Sequence, residues 1–177
     1  MLSDQDRRAL IELAWSAVRA RVWGVEMRPL APEGSLALPA GAFVTLRQGV
    51  ELRGCIGCTD SEEPLALAVA RCAAAAASDD PRFLPVTEAE LELLRIEVSV
   101  LGPLEPVTDP AEIEVGRHGL LVEHGHRRGL LLPQVPLEWG WDLETFLEQV
   151  CLKAGLTRGA WRAQARIFRF EAEVFGE

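Results

Sequence analysis

The side chains best suited to chemistry stand together in one short run, Leu52–Gly57, which reads LRGCIG. The thiol of Cys55 has a glycine directly before it and another two positions after it, and Arg53 lies two positions earlier. A positive charge beside a thiol favours the thiolate, the form that attacks electrophiles and binds metals. Glycine weakens a strand unless another group must approach the backbone there. The run is therefore the first candidate for a functional site, with Cys55 as its candidate catalytic thiol.

Two interpretations of the arginine in this run stay open. In the first, Arg53 holds an anionic group of a ligand through its planar pair of donors, and Gly54 and Gly57 leave room for that group. In the second, Arg53 forms a structural ion pair, for instance with Asp80 or Glu97, because a guanidinium in a packed strand needs an acceptor.

The four cysteines differ in the roles that their neighbours suggest. Cys55 is either a functional thiol or a small buried hydrophobe in a tightly packed strand. Together with Cys58 it forms a lone C-x-x-C, which supplies half of a zinc site, and a redox C-x-x-C normally opens a helix rather than ending a strand. Cys72 and Cys151 lie on apolar faces of predicted helices and are assigned to the core. The sequence predicts no bound metal and no cofactor.

Two further groups are candidates for the same binding groove. Asp80 and Arg82 lie in a proline-bounded break, where the alternative is local turn chemistry with the carboxylate bound to backbone N–H groups and to the arginine. His118 stands between Gly116 and Gly119, which let a partner approach, although it can equally be a satisfied structural histidine. No serine–histidine–acid order, phosphate loop or paired-carboxylate spacing is evident.

Composition limits the classes of function. The chain has 177 residues, 49% of them hydrophobic and 25% charged, which is ordinary globular composition for one domain, or one domain with a small lobe, over residues 1–177. Acidic residues outnumber basic ones by 27 to 18 and give a net charge of −9, which counts against nucleic-acid binding. The polar start of the chain and the lack of a long apolar run predict a cytoplasmic protein with no membrane span, in which the cysteines are thiols.

The elements that must position these side chains follow from periodicity and turn signals. Helical spacing and caps predict one long helix, an alanine-rich helix and a late helix; they are Asp4–Trp23, Leu65–Ala77 and Asp142–Ala154. Alternation and turns predict six strands; they are Ala42–Arg47, Val50–Ile56, Arg95–Leu101, Gly119–Glu123, Gly129–Leu132 and a final strand from Arg166. Short connections between them predict an α+β fold with a mainly antiparallel sheet flanked by helices.

The order of these pieces resembles the AMMECR-type domain family. The six-residue LRGCIG run is specific, and the other matching runs follow in family order to the penultimate helix; they are Asp80–Val86, Leu94–Pro106, Val115–Leu121, Leu132–Val135 and Gly140–Ala154. The resemblance implies an α+β fold with an antiparallel sheet in a larger lobe, a smaller lobe beside it, and LRGCIG lining a groove between them. It also implies a Memo-type protein and a radical-SAM protein as companions, as in the AmmeMemoRadiSam system.

The chain departs from the family pattern at two positions. Cys58 stands where the family more often carries Thr or Ser, so a shared function cannot depend on that thiol. Gln134 stands where the family often carries Glu, so a mechanism that needs a carboxylate there is in doubt.

Three hypotheses for function result. The favoured one is a non-catalytic binding or adaptor module whose groove takes a ligand or a partner protein, because no complete acid–base set is visible. The second is a small cysteine-dependent enzyme that uses Cys55 with Arg53 and His118 on an anionic or carbonyl substrate. The third is a nucleic-acid-associated regulatory protein, and the acidity of the chain counts against it.

Overall fold

A computed structural model describes residues 2–28, 31–59 and 62–177, which pack as two units. The first unit comprises the described residues up to Val100 together with Glu173–Glu177, and the second comprises Leu101–Ala172. Both contain helices and antiparallel strands, so the predicted α+β class is confirmed. The sequence also predicts a turn after LRGCIG, at residues 58–63, which falls partly on residues 60 and 61, outside the described part. No described helix is long and apolar enough to cross a membrane.

Helix α1, Asp4–Trp23, has the bounds that the sequence predicts. At its start the Ser3 hydroxyl accepts a hydrogen bond from the Asp6 backbone N–H, and the Asp6 carboxylate accepts one from the Ser3 backbone N–H. This capping box satisfies donors that have no partner inside the helix. Gly24 ends the helix in the left-handed conformation, at φ 67°.

The first unit contains a four-stranded sheet in the order β2-β1-β3-β8. Its strands are β1 Ala42–Gln48, β2 Glu51–Cys58, β3 Leu94–Leu101 and β8 Ala172–Gly176. Strand β1 is antiparallel to both β2 and β3, so β2 lies at an edge. The register of β1 against β2 shifts after Leu46, because β2 carries one extra residue, Arg53, between the paired positions Leu52 and Gly54. A bulge of this kind bends a strand and redirects a side chain.

Helix α2, Leu65–Ser78, lies directly on β2 because its packing face consists mainly of alanine. A Cβ atom added to Gly54 would meet the Ala76 carbonyl oxygen at 2.1 Å, so only glycine permits this approach. The buried cluster of the first unit combines both helices with one face of the sheet; its larger members include Leu10, Val18, Val44, Leu46, Leu65, Val69, Ile96 and Val98.

The second unit contains the other sheet, in the order β4-β7-β5-β6. Its strands are β4 Glu105–Pro106, β5 Gly119–His124, β6 Arg127–Leu131 and β7 Arg166–Phe170. Its helices are α3 Val135–Trp139 and α4 Leu143–Lys153. Asp142 caps α4 as predicted, since its carboxylate accepts the Thr145 N–H at 2.8 Å. The apolar face of α4 and the sheet form a separate buried cluster around Phe146, Leu147 and Val150.

Three details differ from the prediction. The strands form two sheets rather than one, and the alanine-rich helix packs on the first sheet. The final strand is two strands, β7 and β8, separated at Glu171, whose carbonyl accepts the Gly102 N–H at 2.8 Å. The alternation of apolar residues along the sequence did not reveal this break. In β7 both Ile167 and Phe170 are buried, although residues an odd number of positions apart lie on opposite faces of a strand, so burial does not follow the simple two-residue period. The prolines at 133 and 136 predict a break in the chain, but Pro136 lies in the first turn of helix α3.

Gly54→Ala should destabilise the first unit strongly, because the new methyl group would overlap the Ala76 backbone carbonyl, which cannot rotate away. Overpacking of a core typically costs about 1–3 kcal/mol, and we expect the upper part of that range for a backbone clash. Urea unfolding measures the loss. Gly159→Ala is the control, because its Cβ would have only the flexible end of Arg162 nearby, at 3.7 Å. Equal stability of the two variants would contradict the close packing of α2 on β2.

Candidate functional site

The backbone of Cys55 is bound by side chains rather than by another strand. Its N–H donates to Asp80 Oδ2 at 2.9 Å, and its carbonyl oxygen accepts from Arg82 Nη2 at 3.5 Å. Both groups lie on the side of β2 away from β1, where no strand of the described residues pairs with it. The predicted candidates Cys55, Asp80 and Arg82 are therefore brought together.

Asp80 and Arg82 form a compact ion pair that fixes their loop. The Asp80 carboxylate is buried, at 2% side-chain exposure, whereas the Arg82 side chain is 55% exposed. Asp80 Oδ1 accepts from the backbone N–H and Nε of Arg82, and Oδ2 accepts from Nη2 at 2.7 Å. The Arg82 side chain, followed by the backbone N–H groups of Cys55 and Arg82, holds the pKa of Asp80 well below its usual range. This is the turn chemistry left open by the sequence, and it also places a guanidinium next to Cys55.

Arg53 is engaged by acceptors from the same loop. Its Nε donates to Glu90 Oε1 at 2.6 Å, and Nη2 donates to Glu90 Oε2 at 3.2 Å, which makes a bidentate pair. The remaining donors reach two backbone carbonyls, Leu84 at 2.9 Å and Pro85 at 3.3 Å. The guanidinium thus binds a loop of its own chain, as in the second interpretation of Arg53.

The ion-pair partner differs from the two acids suggested by the sequence. It is Glu90, not Asp80 or Glu97, because the bulge and the following loop bring the short helix at residues 88–93 to Arg53. Glu90 also accepts from the N–H and hydroxyl of Thr87, completing a capping box. The hydrogen bonds from Arg53, and then those from Thr87, lower the pKa of Glu90 to about 2.

Cys55 belongs to a polar face of the first sheet, on the side opposite α2. On this face Cys55 pairs with Thr45 of β1, and Thr45 pairs with Glu97 of β3. The Thr45 hydroxyl donates to Cys55 Sγ at 3.3 Å. Cys55 and Glu97 are partly exposed, while Thr45 is buried.

The next row of the polar face is more tightly packed. It consists of Gly57, Phe43 and Ser99, which are paired across the three strands. The ring of Phe43 fills the space where a Gly57 side chain would be, at 2.3 Å from the added Cβ. The Ser99 hydroxyl is buried and has no hydrogen-bond partner among the described residues. At both Gly54 and Gly57, therefore, other parts of the chain occupy the space where a side chain would be. This is the space that the first interpretation of Arg53 assigned to a ligand.

The two thiols of the C-x-x-C motif lie on opposite faces of β2. Cys58 lies on the face of β2 that packs into the core cluster of the first unit, opposite to Cys55. Cys72 and Cys151 are fully buried, as predicted, and all four cysteines are free thiols. In the described part of the chain, no three His, Cys, Asp or Glu side chains are grouped so that they could hold a metal ion.

The remaining candidate, His118, lies in the second unit and has a structural partner. Its Nδ1 accepts the Glu114 N–H at 2.9 Å, and the ring is buried in that turn. The space above the neighbouring Gly119 is filled by the Phe170 ring. Gln134, at the start of α3, has a buried side-chain oxygen without a partner among the described residues. The groove between lobes and a role for His118 in it remain predictions.

Sequence reasoning missed Thr45 and Ser99 and named Glu97 only as an ion-pair partner. A signal was present, because Phe43 and Thr45 alternate with buried residues of β1 while Glu97 and Ser99 do so in β3. When two adjacent strands of a sheet each carry such residues at alternate positions, these residues share one face of the sheet.

Comparison with known proteins gives consistent matches over the chain. The sequence model of the AMMECR1 family matches residues 11–175. A protein of Aeropyrum pernix is 45% identical over 186 residues, covering 99% of this chain and 80% of its own length. One from Thermococcus onnurineus is 45% identical over 191 residues, covering 99% and 92%. The crystal structure of an uncharacterized protein from Pyrococcus horikoshii superposes with a TM-score of 0.92 at 41% identity, covering 99% of this chain and 93% of that one.

Arg53→Lys should lower stability, because lysine keeps the charge but cannot reach Glu90 and two carbonyls at once. The side chains of the pair are only 15% and 22% exposed, so we expect a loss of about 1–3 kcal/mol in the free energy of unfolding. Denaturant titration measures it, and Arg95→Lys, at an exposed position of β3, is the control. Unchanged stability of Arg53→Lys would favour the ligand-binding interpretation of Arg53.

The contribution of Glu90 to the free energy of unfolding should disappear at low pH. Its pKa is lowered from 4.5 to about 2, so the stabilisation is fully present above about pH 4.5 and is lost as the pH falls toward 2. Glu90→Gln should therefore be less stable than the wild type at pH 7, by roughly 1–2 kcal/mol, and the difference should shrink between pH 4.5 and 2. Urea unfolding at several pH values tests this. Glu92→Gln, at an exposed position nearby, should show no such convergence.

Proposed function

Since the chain belongs to the AMMECR1 family, we propose that it is a binding module that docks a partner protein beside the LRGCIG strand. The companions implied by the family resemblance, a Memo-type protein and a radical-SAM protein, are the partners proposed. The docking surface comprises Cys55 and the segment Arg82–Leu84, which we call the docking segment and in which Arg82 and Leu84 are exposed. We place this function in the cytoplasm, where a reducing environment keeps the four thiols free.

The proposal rests on one observation, an exposed apolar side chain whose backbone is fixed in position by hydrogen bonds. Leu84 is 84% exposed, yet its carbonyl oxygen is bound by Arg53 at 2.9 Å. An isolated exposed leucine is common on protein surfaces. Here, however, the segment is fixed at both ends, by Asp80 through its bonds to Cys55 and by Glu90 through its pair with Arg53. A backbone that is already fixed loses little conformational entropy when a partner binds.

The composition of the docking segment supports a protein partner. Arg82 lies over the Phe83 ring, with its guanidinium carbon 5.4 Å from the ring centroid, and its side chain is 55% exposed. Arginine and aromatic residues are enriched at the energetic centres of protein interfaces. An arginine, an aromatic ring and a leucine in sequence therefore offer one charged and two apolar contacts to a partner.

Two features favour binding over cysteine catalysis. A cysteine nucleophile needs a base, usually histidine, and His118, the histidine of the enzymatic hypothesis, is buried with its Nδ1 bound to the Glu114 N–H. Arg53, the other residue of the enzymatic hypothesis, is bound to Glu90 and two carbonyls.

Leu84→Ser should weaken binding of the Memo-type or radical-SAM companion at least about tenfold, because it removes the exposed apolar side chain of the docking segment. Affinities are measured by biolayer interferometry with the full-length purified proteins. Leu93→Ser is the matched control, since Leu93 is also exposed, at 56%, in the same unit. Melting temperatures of both variants should equal that of the wild type, because neither side chain is buried.

Two outcomes would contradict the proposal. One is that neither companion binds the wild-type protein at micromolar concentration, and the other is that both variants bind as well as the wild type. A thermal-shift screen with small metabolites runs in parallel, because any ligand that binds the folded state raises the melting temperature by mass action. Stabilisation by a metabolite without binding of either companion would assign the module to a small ligand.

A further inference from the structure

A second thiol pair lies on the other side of β2, away from the docking segment. Cys72 Sγ of α2 is 4.0 Å from Cys58 Sγ at the end of β2. The Cys72 thiol donates toward Cys58 and lies 3.7 Å from the Ala42 carbonyl oxygen. Cys72 is fully buried, whereas Cys58 is partly exposed. Cys58 is therefore the member of the pair with partial exposure to solvent, and Cys72 lies behind it in the core.

The surroundings favour unequal protonation of the two sulfurs. The hydrogen bond from Cys72 lowers the pKa of Cys58, and Arg71 lowers it further through a hydrogen bond and its charge. The same interaction with Cys58, together with burial, raises the pKa of Cys72. Arg71 is itself positioned by Glu63, whose carboxylate accepts from Nε at 2.8 Å. Cys58 is thus favoured as the thiolate and Cys72 as the thiol.

We propose that Cys58 and Cys72 form a peroxide-sensitive dithiol, in which Cys58 is oxidised first and Cys72 resolves it to a disulfide. The Cys58 thiolate attacks one oxygen of hydrogen peroxide and breaks the O–O bond, giving a sulfenic acid and hydroxide, which takes a proton to become water. Cys72 sulfur then attacks the Cys58 sulfur, its proton leaves with the departing hydroxide as a second water, and an S–S bond forms. Two thiols are oxidised by two electrons as one peroxide is reduced.

The two sulfurs are already in contact, at 4.0 Å. A disulfide requires a sulfur–sulfur distance of about 2.05 Å, so the two sulfurs must approach by about 2 Å. Both Cβ atoms are carried by elements that already pack together, and the alanine face of α2 leaves little between helix and strand. The bond would join α2 to the end of β2 within the first unit.

The other two thiols are poorly placed for this chemistry. Cys55 lies on the opposite face of β2, where its sulfur accepts from the Thr45 hydroxyl. Cys151 is buried in the second unit, and burial raises its pKa. The pair is therefore expected to be specific to Cys58 and Cys72.

Peroxide oxidation of the full chain tests the proposal. The reduced protein is treated with one equivalent of hydrogen peroxide, the remaining thiols are alkylated, and tryptic peptides are identified by mass spectrometry. We expect loss of two of the four thiols and a cross-link between the peptides at residues 54–71 and 72–82. Cys58→Ser should abolish the loss. Cys55→Ser is the matched control in the same peptide and should leave the cross-link intact.

A cross-link that survives Cys58→Ser, or one that disappears in Cys55→Ser, would overturn the assignment. So would oxidation of Cys58 to the sulfinic acid in the wild type while the Cys72 thiol remains alkylatable. In Cys72→Ser the sulfenic acid should persist at Cys58 and react with dimedone. If that buried substitution prevents folding, the wild-type peptide map and the two variants on β2 decide the question alone.

Discussion

The arrangement around Cys55 depends on the ion pair between Arg53 and Glu90. Arg53 occupies the extra position of a bulge in an edge strand, so its side chain reaches out to the following loop instead of lying in the sheet. Both side chains are mostly buried. Removing one would leave the other as a buried charge with no partner to replace its hydrogen bonds to water. The two carbonyls bound by the same guanidinium tie the loop backbone to the strand. The docking segment therefore has a defined position although its side chains face solvent.

Local patterns predicted the elements well because the chain marks them clearly. The capping box at Ser3, the cap at Asp142 and the clean alternation in β3 each correspond to an observed end or strand. The family, the fold class and the burial of Cys72 and Cys151 were also accessible from the sequence. These features depend on residues that are close together in the sequence, or on a regular spacing of side chains along it.

The parts that could not be predicted depend on contacts between distant residues. Nothing local to Arg53 selects Glu90, because their proximity needs both the bulge and the course of the loop. Nothing in LRGCIG shows that Gly54 receives a helix carbonyl and Gly57 an aromatic ring. Glycines beside a thiol were interpreted as space for a ligand, but glycine serves equally wherever two parts of the chain must approach closely. Sequence identified the right strand, and tertiary packing determined which of its groups stay accessible.

The side-chain contacts to the Cys55 backbone also bear on solubility. Strand β2 ends its sheet, and an exposed edge presents a row of donors and acceptors to which a strand of another molecule can add. Asp80 and Arg82 occupy one such donor and acceptor with charged groups, and the bulge at Arg53 interrupts the regular spacing just before them. An incoming strand would have to displace a buried carboxylate to extend the sheet. The loop that presents the docking segment thus also protects this edge against aggregation.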